Sequence, residues 1–277
     1  MLPAVPGWEG AGTVVENGGG ALGWWLKGRR VACGGQSERD GTWAEYYIAD
    51  ARTCIPLKRG VSSEQGSALI INPLTAIGMM EKALQGGHKA IIQTAALSQV
   101  GRMVQVLAKM HHLPLINIVR KPEQIAELKE AGEKWVLSST DEQFFSKLKE
   151  MARSLKATIA FDAVAGEMTG QILSAMPPQS RILVYGSLSE KHCEKIAPLG
   201  LIFEMKKVEG FWLTDWIQKS GILKTVRSFR TVQNLIEKGE FKTKIQSAVG
   251  FEEWKEALLA YHHDMTAGKV ILNPAIS

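Results

Sequence analysis

The chain has 277 residues, 45% apolar and 22% charged, with a formal net charge of +5. This composition describes a globular protein with ample core, in one large domain or two smaller ones. No apolar run approaches the ~18 residues of a membrane helix, and no long Lys/Arg run marks a nucleic-acid surface, so the mild basic balance suits a small anionic ligand.

Residues 1–72 read as β-rich: "GAGTVVE" (10–16), "RRVAC" (29–33) and "TWAEYYIA" (42–49) are short runs of strand formers punctuated by Gly, Asp and Asn. Between the first two, "ENGGGALGWWLKGRR" reads as a long turn and rim loop with Trp24 and Trp25 either partly exposed or packed on a missing partner. From 73 to about 213 the texture changes. Apolar runs at 90–94, 114–119, 134–138, 158–162 and 181–185 alternate with amphipathic helices at 99–111, 122–131, 141–154 and 166–175. Such alternation predicts a parallel sheet with helices on both faces. The runs lack polar alternation, as strands buried on both faces should. "KKVEGFWL" (206–213) has strand character, and "LKTVRSFRTVQNLIEKG" (223–239) is an amphipathic helix. The tail returns to β, a short helix and a last strand, "KVILN".

Between the run at 90–94 and the helix at 99–111 lies a turn, Ala95-Ala96-Leu97-Ser98-Gln99-Val100-Gly101. A dinucleotide fingerprint, G-x-G-x-x-G, would place three glycines there. Only Gly101 is present, at the position that lets helix meet strand. Ala95 and Ala96 are small enough for close approach, and Ser98 can cap the helix or donate to a phosphate. Taken alone, so degenerate a motif reads better as an ordinary strand-to-helix corner than as a nucleotide loop. Arg120 and Lys121 shift the balance. They stand about twenty residues on, where an NAD site carries a carboxylate for the ribose 2′-OH. A guanidinium there matches a 2′-phosphate that an acid would repel, which favours NADPH.

At this point the chain resembles the zinc-independent medium-chain dehydrogenase/reductases, the quinone oxidoreductases and 2-enoyl-thioester reductases. "VPGWEGAGTVVE", "GTWAEYYIA", "NPLTAIGMM", "TAALSQVGRMVQVLAK", "FDAVAGEMTGQIL", "VYGSLS", "GFWLTDW" and "GKVILNP" follow in family order, with the enoyl-reductase branch fitting best through Tyr185-Gly186 and Phe211-Trp212-Leu213. The resemblance implies an α/β protein with a Rossmann-type NADP(H)-binding domain over 73–240. It also implies a GroES-like β-barrel catalytic domain from 1–72 and 241–277. Family members carry about sixty further residues ahead of the "VPGWEGAG" segment, so the catalytic domain is expected to lack its N-terminal part, with activity compromised.

By position, the resemblance places Asn72 and Thr75 against the nicotinamide, as the catalytic candidates. Leu97, Ser98, Gln99 and Val100 would lie along the pyrophosphate, and Arg120 and Lys121 on the 2′-phosphate. Tyr185, Gly186, Ser187 and Leu188 would line the ribose–nicotinamide side. Phe211, Trp212, Leu213 and Thr214 would set backbone against the carboxamide, and Lys269 would reach the cofactor from the other domain. Where zinc-dependent relatives carry a ligand histidine, this chain has Trp8. Its six histidines and three cysteines (Cys33, Cys54, Cys193) show no metal-ligand spacing, so no metal is expected.

The implied chemistry is hydride transfer from NADPH to an activated C=C, in a 2-enoyl thioester or an enone, or to a quinone. The alternative is an NADPH-binding sensor or scaffold without turnover; a weaker third reading is single-stranded RNA binding on the basic face. A homodimer paired through the strand at 206–213 is expected. The thiols and the absence of a visible targeting segment suggest a reducing, soluble setting, cytoplasm or mitochondrial matrix.

Overall fold

Apolar strands without polar alternation can be buried only when helices cover both of their faces, and the computed structural model shows this arrangement. It describes residues 4–34 and 40–276. Residues 1–3, 35–39 and 277 fall inside the expected catalytic-domain segments and lie outside the described residues. In chain order the elements are β1 (Glu9–Thr13), α1 (Gly20–Leu26), β2 (Arg30–Gly34), β3 (Ile55–Pro56), α2 (Ser63–Gly66) and α3 (Ile71–Gln85). There follow β4 (Ile91–Gln93), α4 (Gln99–Met110), β5 (Leu115–Val119), α5 (Glu123–Glu130), β6 (Trp135–Ser138), α6 (Phe144–Ser154), β7 (Ile159–Asp162) and α7 (Glu167–Ala175). The last are β8 (Arg181–Val184), α8 (Pro198–Ile202), β9 (Lys207–Gly210), α9 (Leu213–Glu237), β10 (Ile245–Val249), α10 (Trp254–His263) and β11 (Lys269–Leu272). The chain divides into two compact units, residues 76–219 and residues 1–75 with 220–277.

The unit over 76–219 holds a six-stranded sheet of order β6-β5-β4-β7-β8-β9, parallel throughout. Ile92 faces Ile116 on one side and Ala160 on the other. The order reverses between β4 and β7, and a crevice at the carboxyl ends of such strands is where ligands bind in doubly wound sheets. Ile92, Ile116, Ile118, Ala160 and Ile182 pack with Phe144 and Leu148 of α6 and Ile172 and Leu173 of α7 into one buried cluster. α4 turns Val100, Met103, Val104, Leu107 and Ala108 inward, the apolar stripe its periodicity predicts. The α/β, Rossmann-type expectation holds for this unit.

The other unit carries an antiparallel sheet, β1-β2-β3, and a parallel pair, β10-β11. Two expectations fail here. Residues 42–49 form no strand. Thr42 and Trp43 bond Glu9 and Pro6, but the rest of the run finds no ladder, leaving Tyr46 76% and Ile48 84% exposed. Strand propensity without a neighbour does not hold a strand. The expected rim loop contains a helix, α1, anchored by Leu26 at 2% exposure. Trp24 and Trp25 are largely exposed as expected. Arg29 stacks 4.4 Å over the Trp25 ring and donates to the Trp25 carbonyl. The short helices α2 and α8 were not anticipated, and the helix expected over 223–239 is the second part of α9, which breaks at Gly221 (φ 72°). No helix among the described residues is long and apolar enough to cross a membrane.

Candidate active site

The carboxyl ends of β4, β5, β7, β8 and β9 lie along one edge of the parallel sheet. The turn after β4 is built from main-chain contacts to its neighbours. Ala96 N donates to the Ile118 carbonyl at 3.2 Å and Thr94 N to the Phe161 carbonyl at 3.0 Å. Ala95 takes a left-handed conformation, φ 48°, where a fingerprint glycine would be unstrained. Ser98 is the N-cap of α4: its Oγ accepts from Gly101 N at 3.1 Å. The first turn of α4, with its positive dipole end, therefore opens on this edge. Gly101 is sterically required, because a Cβ there would stand 2.5 Å from the Ala96 carbonyl oxygen. Arg102, one turn in, donates to the Leu97 carbonyl and pairs with Glu127.

Asp162, at the end of β7, is fully buried. Its carboxylate accepts from Thr94 Oγ1 (2.9 Å), Thr169 Oγ1 (2.7 Å) and the amides of Val164 and Ala165. Thr94 Oγ1 in turn accepts from Ala163 N at 2.8 Å. A buried charge tolerates such a place only when fully hydrogen-bonded. The network ties the turn after β4 to the turn after β7. At the end of β8, burial and then the Asp162 carboxylate raise the Tyr185 phenol above its ordinary range, while the Ser98 hydroxyl at its oxygen pulls the other way. Tyr185 thus joins the turn after β4 to the end of β8. Gly186 runs close to Ala163, whose carbonyl oxygen would lie 3.0 Å from a Cβ.

Arg120 and Lys121 follow β5 directly, both exposed. The Arg120 carbonyl accepts from Ser138 and Thr140, and Val119 packs with Ala96 and Leu97, so this strand end adjoins the turn. Neither cation forms an ion pair among the described residues. Phe211, Trp212, Leu213 and Thr214 follow β9. Phe211 is buried and donates from its amide to Val184, while Trp212 is 69% exposed. Gly78 of α3 admits Phe211 and Trp216, where a Cβ would meet the Phe211 ring at 2.6 Å.

The structure therefore brings Leu97–Val100, Arg120 and Lys121, Tyr185–Leu188 and Phe211–Thr214 to one sheet edge. Asn72, Thr75 and Lys269 belong to the other unit. There Asn72 and Thr75 lie on the first turns of α3, and Lys269 of β11 is ion-paired with Glu9 of β1. Glu9 is also the acceptor for the amides of Ile70 and Ile71 at the start of α3, at 3.0 and 2.9 Å. Sequence reasoning missed Thr94, Asp162, Arg102 and Glu9. An acid closing an apolar strand run was the available signal for Asp162; Glu9 and Lys269 stand too far apart in sequence to be paired by inspection. Among the described residues no three His, Cys, Asp or Glu side chains converge as metal ligands.

Two family profiles match the chain. One, a zinc-binding dehydrogenase profile, covers residues 100–228, and an alcohol dehydrogenase GroES-like domain profile covers 1–59. A solved Mesorhizobium loti protein, provisionally assigned as an NADPH:quinone reductase, is 36% identical with a TM-score of 0.87, over 97% of this chain and 77% of that one. The mouse mitochondrial enoyl-[acyl-carrier-protein] reductase is 27% identical over 98% of this chain and 73% of its own length. The mitochondrial 2-enoyl thioester reductase heterodimer of Candida tropicalis shares the fold, with 22% identity and a TM-score of 0.81 over 98% of this chain and 80% of that one. With its parallel sheet, its capped turn and a relative this similar along nearly its whole length, the chain belongs to the medium-chain dehydrogenase/reductase family, in its zinc-independent branch.

Proposed function

We propose that this chain is an NADPH-dependent oxidoreductase that reduces the C=C bond of a 2-enoyl thioester or enone, or a quinone, without a metal ion. The observation that carries the cofactor choice is the pair Arg120–Lys121. Two cations without ion-pair partners among the described residues follow β5 beside the capped turn, where an NAD-type site would have an acid. NADPH, when bound, supplies the hydride. The chain's own residues do the rest. Main-chain groups of Leu97–Val100 hold the pyrophosphate at the positive end of α4. Arg120 grips the 2′-phosphate, with Lys121 beside it, and Tyr185–Leu188 and Phe211–Thr214 orient the nicotinamide. Asn72 and Thr75 face the reacting ring, and Lys269 contributes from the segments 1–72 and 241–277, which form the GroES-like catalytic domain; the cofactor domain spans 73–240. Hydrogen-bond donors stabilise the developing enolate. The protein works as a homodimer paired along β9, in cytoplasm or mitochondrial matrix. The named activities of the Mesorhizobium loti and mouse relatives support this reading.

Arg120→Asp tests it. Loss of a charge-assisted pair worth about 1.5–3 kcal/mol weakens NADPH roughly 10- to 150-fold while NADH binding changes little. An unchanged NADPH-to-NADH ratio refutes the cofactor assignment. NADPH oxidation with a 2-enoyl-CoA, an enone and a quinone then identifies the acceptor. Tight binding without turnover on any of them points to a sensor or scaffold instead.

A further inference from the structure

At the amino-terminal edge of the six-stranded sheet, opposite the candidate active site, lies a cavity of about 390 Å³. Thr158 precedes β7, Pro177 and Pro178 precede β8, and Lys206 precedes β9, so all of its strand-side wall comes from the starts of strands. Four cations line it, Lys149, Arg153, Lys156 and Lys206, against one acid, Glu204. Lys206 has a side chain only 5% exposed, paired with Glu204 at 2.6 Å. Lys206 first, then Arg153 and Lys149, draw the Glu204 carboxyl below the ordinary range, so these charges share one neighbourhood.

Lys149 and Arg153 are four residues apart on α6 and so share a face. Lys156 follows the helix in a left-handed conformation, φ 53°. None of the three forms an ion pair among the described residues. The C-terminal end of α6 favours cations on that helix, but this explains neither the buried Lys206, which arrives from the β8–β9 connection, nor the hollow between them. Glu204 offsets one of the four cations, and the excess positive charge left around an open space is repulsive until a further anion enters. The space is within the range of small-molecule pockets and larger than a bare phosphate requires. Met176, Pro177 and Pro178 give it an apolar wall.

The geometry points to a second ligand site here, for an organic phosphate: the phosphate among Lys149, Arg153 and Lys156, the organic body against Met176 and the two prolines. This site is separate from the turn after β4 and uses none of its residues.

Calorimetric titration with AMP tests it on the full chain. K149E/R153E lowers AMP affinity about tenfold or more, through loss of two charge-assisted contacts. Arg120→Asp leaves one equivalent bound with unchanged affinity. K129E/K134E, an equal change in net charge elsewhere, has little effect. Circular dichroism and the urea midpoint verify folding, and Lys156→Glu, an exposed single change, lowers the affinity independently. Adenosine, lacking the phosphate, binds at least tenfold more weakly than AMP. The proposal is overturned if the wild-type chain binds no AMP, if K149E/R153E binds it as well as wild type, if K129E/K134E loses as much, or if all binding vanishes with Arg120→Asp.

Discussion

Replacing Gly101 by alanine sets two known terms against each other. A methyl group there meets the Ala96 carbonyl oxygen at 2.5 Å, the Ala95 oxygen at 2.7 Å and the Ala96 carbonyl carbon at 2.8 Å. The nearest of these is roughly 0.9 Å short of an ordinary contact, so α4 or the turn must move by that amount. All three atoms are main chain, and no rotamer relieves them. The Ala96 oxygen also accepts from Gln105 Nε2 at 2.8 Å and the Ala95 oxygen from Ser98 N at 2.8 Å, so movement strains those bonds too. Overpacking of this kind costs about 1–3 kcal/mol. Against it, alanine gains about 1 kcal/mol over glycine in a helix, less in a first turn. The net expectation is a loss of about 1–2 kcal/mol, read as a lower urea midpoint by tryptophan fluorescence, with NADPH affinity falling as Ser98 shifts. Gly200→Ala is the control: its Cβ would meet only the Lys206 side chain, at 3.6 Å, so stability holds or rises. A Gly101→Ala protein as stable as wild type would show that propensity wins and that helix and turn are not in tight contact.

Ala95→Gly works in the opposite direction. It removes a left-handed strain of about 1–2 kcal/mol and adds somewhat less in unfolded-chain entropy, so the urea midpoint should rise slightly; a fall contradicts the strained turn. Lys269→Met strands the Glu9 carboxylate, 6% exposed, and costs about 3 kcal/mol. The double variant Glu9→Gln/Lys269→Met then loses less than the two singles combined, and strict additivity in the urea series argues against the pair. His88 concerns pH. Burial first and Arg181 second hold its pKa below the ordinary 6.5, so the unfolded chain takes up the proton before the folded one. Its contribution is intact above 6.5 and is lost as pH falls through and below that value. His88→Asn should flatten the decline in urea midpoint between about pH 7 and 5; an unchanged decline removes His88 as its source.

The parallel sheet was legible because β4, β5, β6 and β7 are largely apolar on both faces and an amphipathic helix follows each of them. Ile91, Ile116 and Ile159 need no distant information to be assigned. The run at 42–49 has the same local preferences, yet Tyr46 and Ile48 face solvent, because a strand is decided by a neighbour and not by its own residues. The helix at Gly20–Leu26 was hidden by its glycines, and one side chain, Leu26, decides it. In the site, Ser98, Gly101 and Arg120 could be found by spacing from a strand end. Thr94 and Asp162 could not, since a hydrogen bond between residues 68 positions apart exists only once β4 and β7 are side by side.

The ion pair joining Glu9 to Lys269 spans 260 positions. At ribosomal rates of about 5–20 residues per second, roughly 13–50 s pass between the emergence of the acid and that of its base. Throughout that interval the first strand holds a carboxylate whose folded-state counter-charge has not yet been made. Closure of this unit by that pair therefore waits on the synthesis of β11, whereas β4 and β5 can already pair while the chain is still growing.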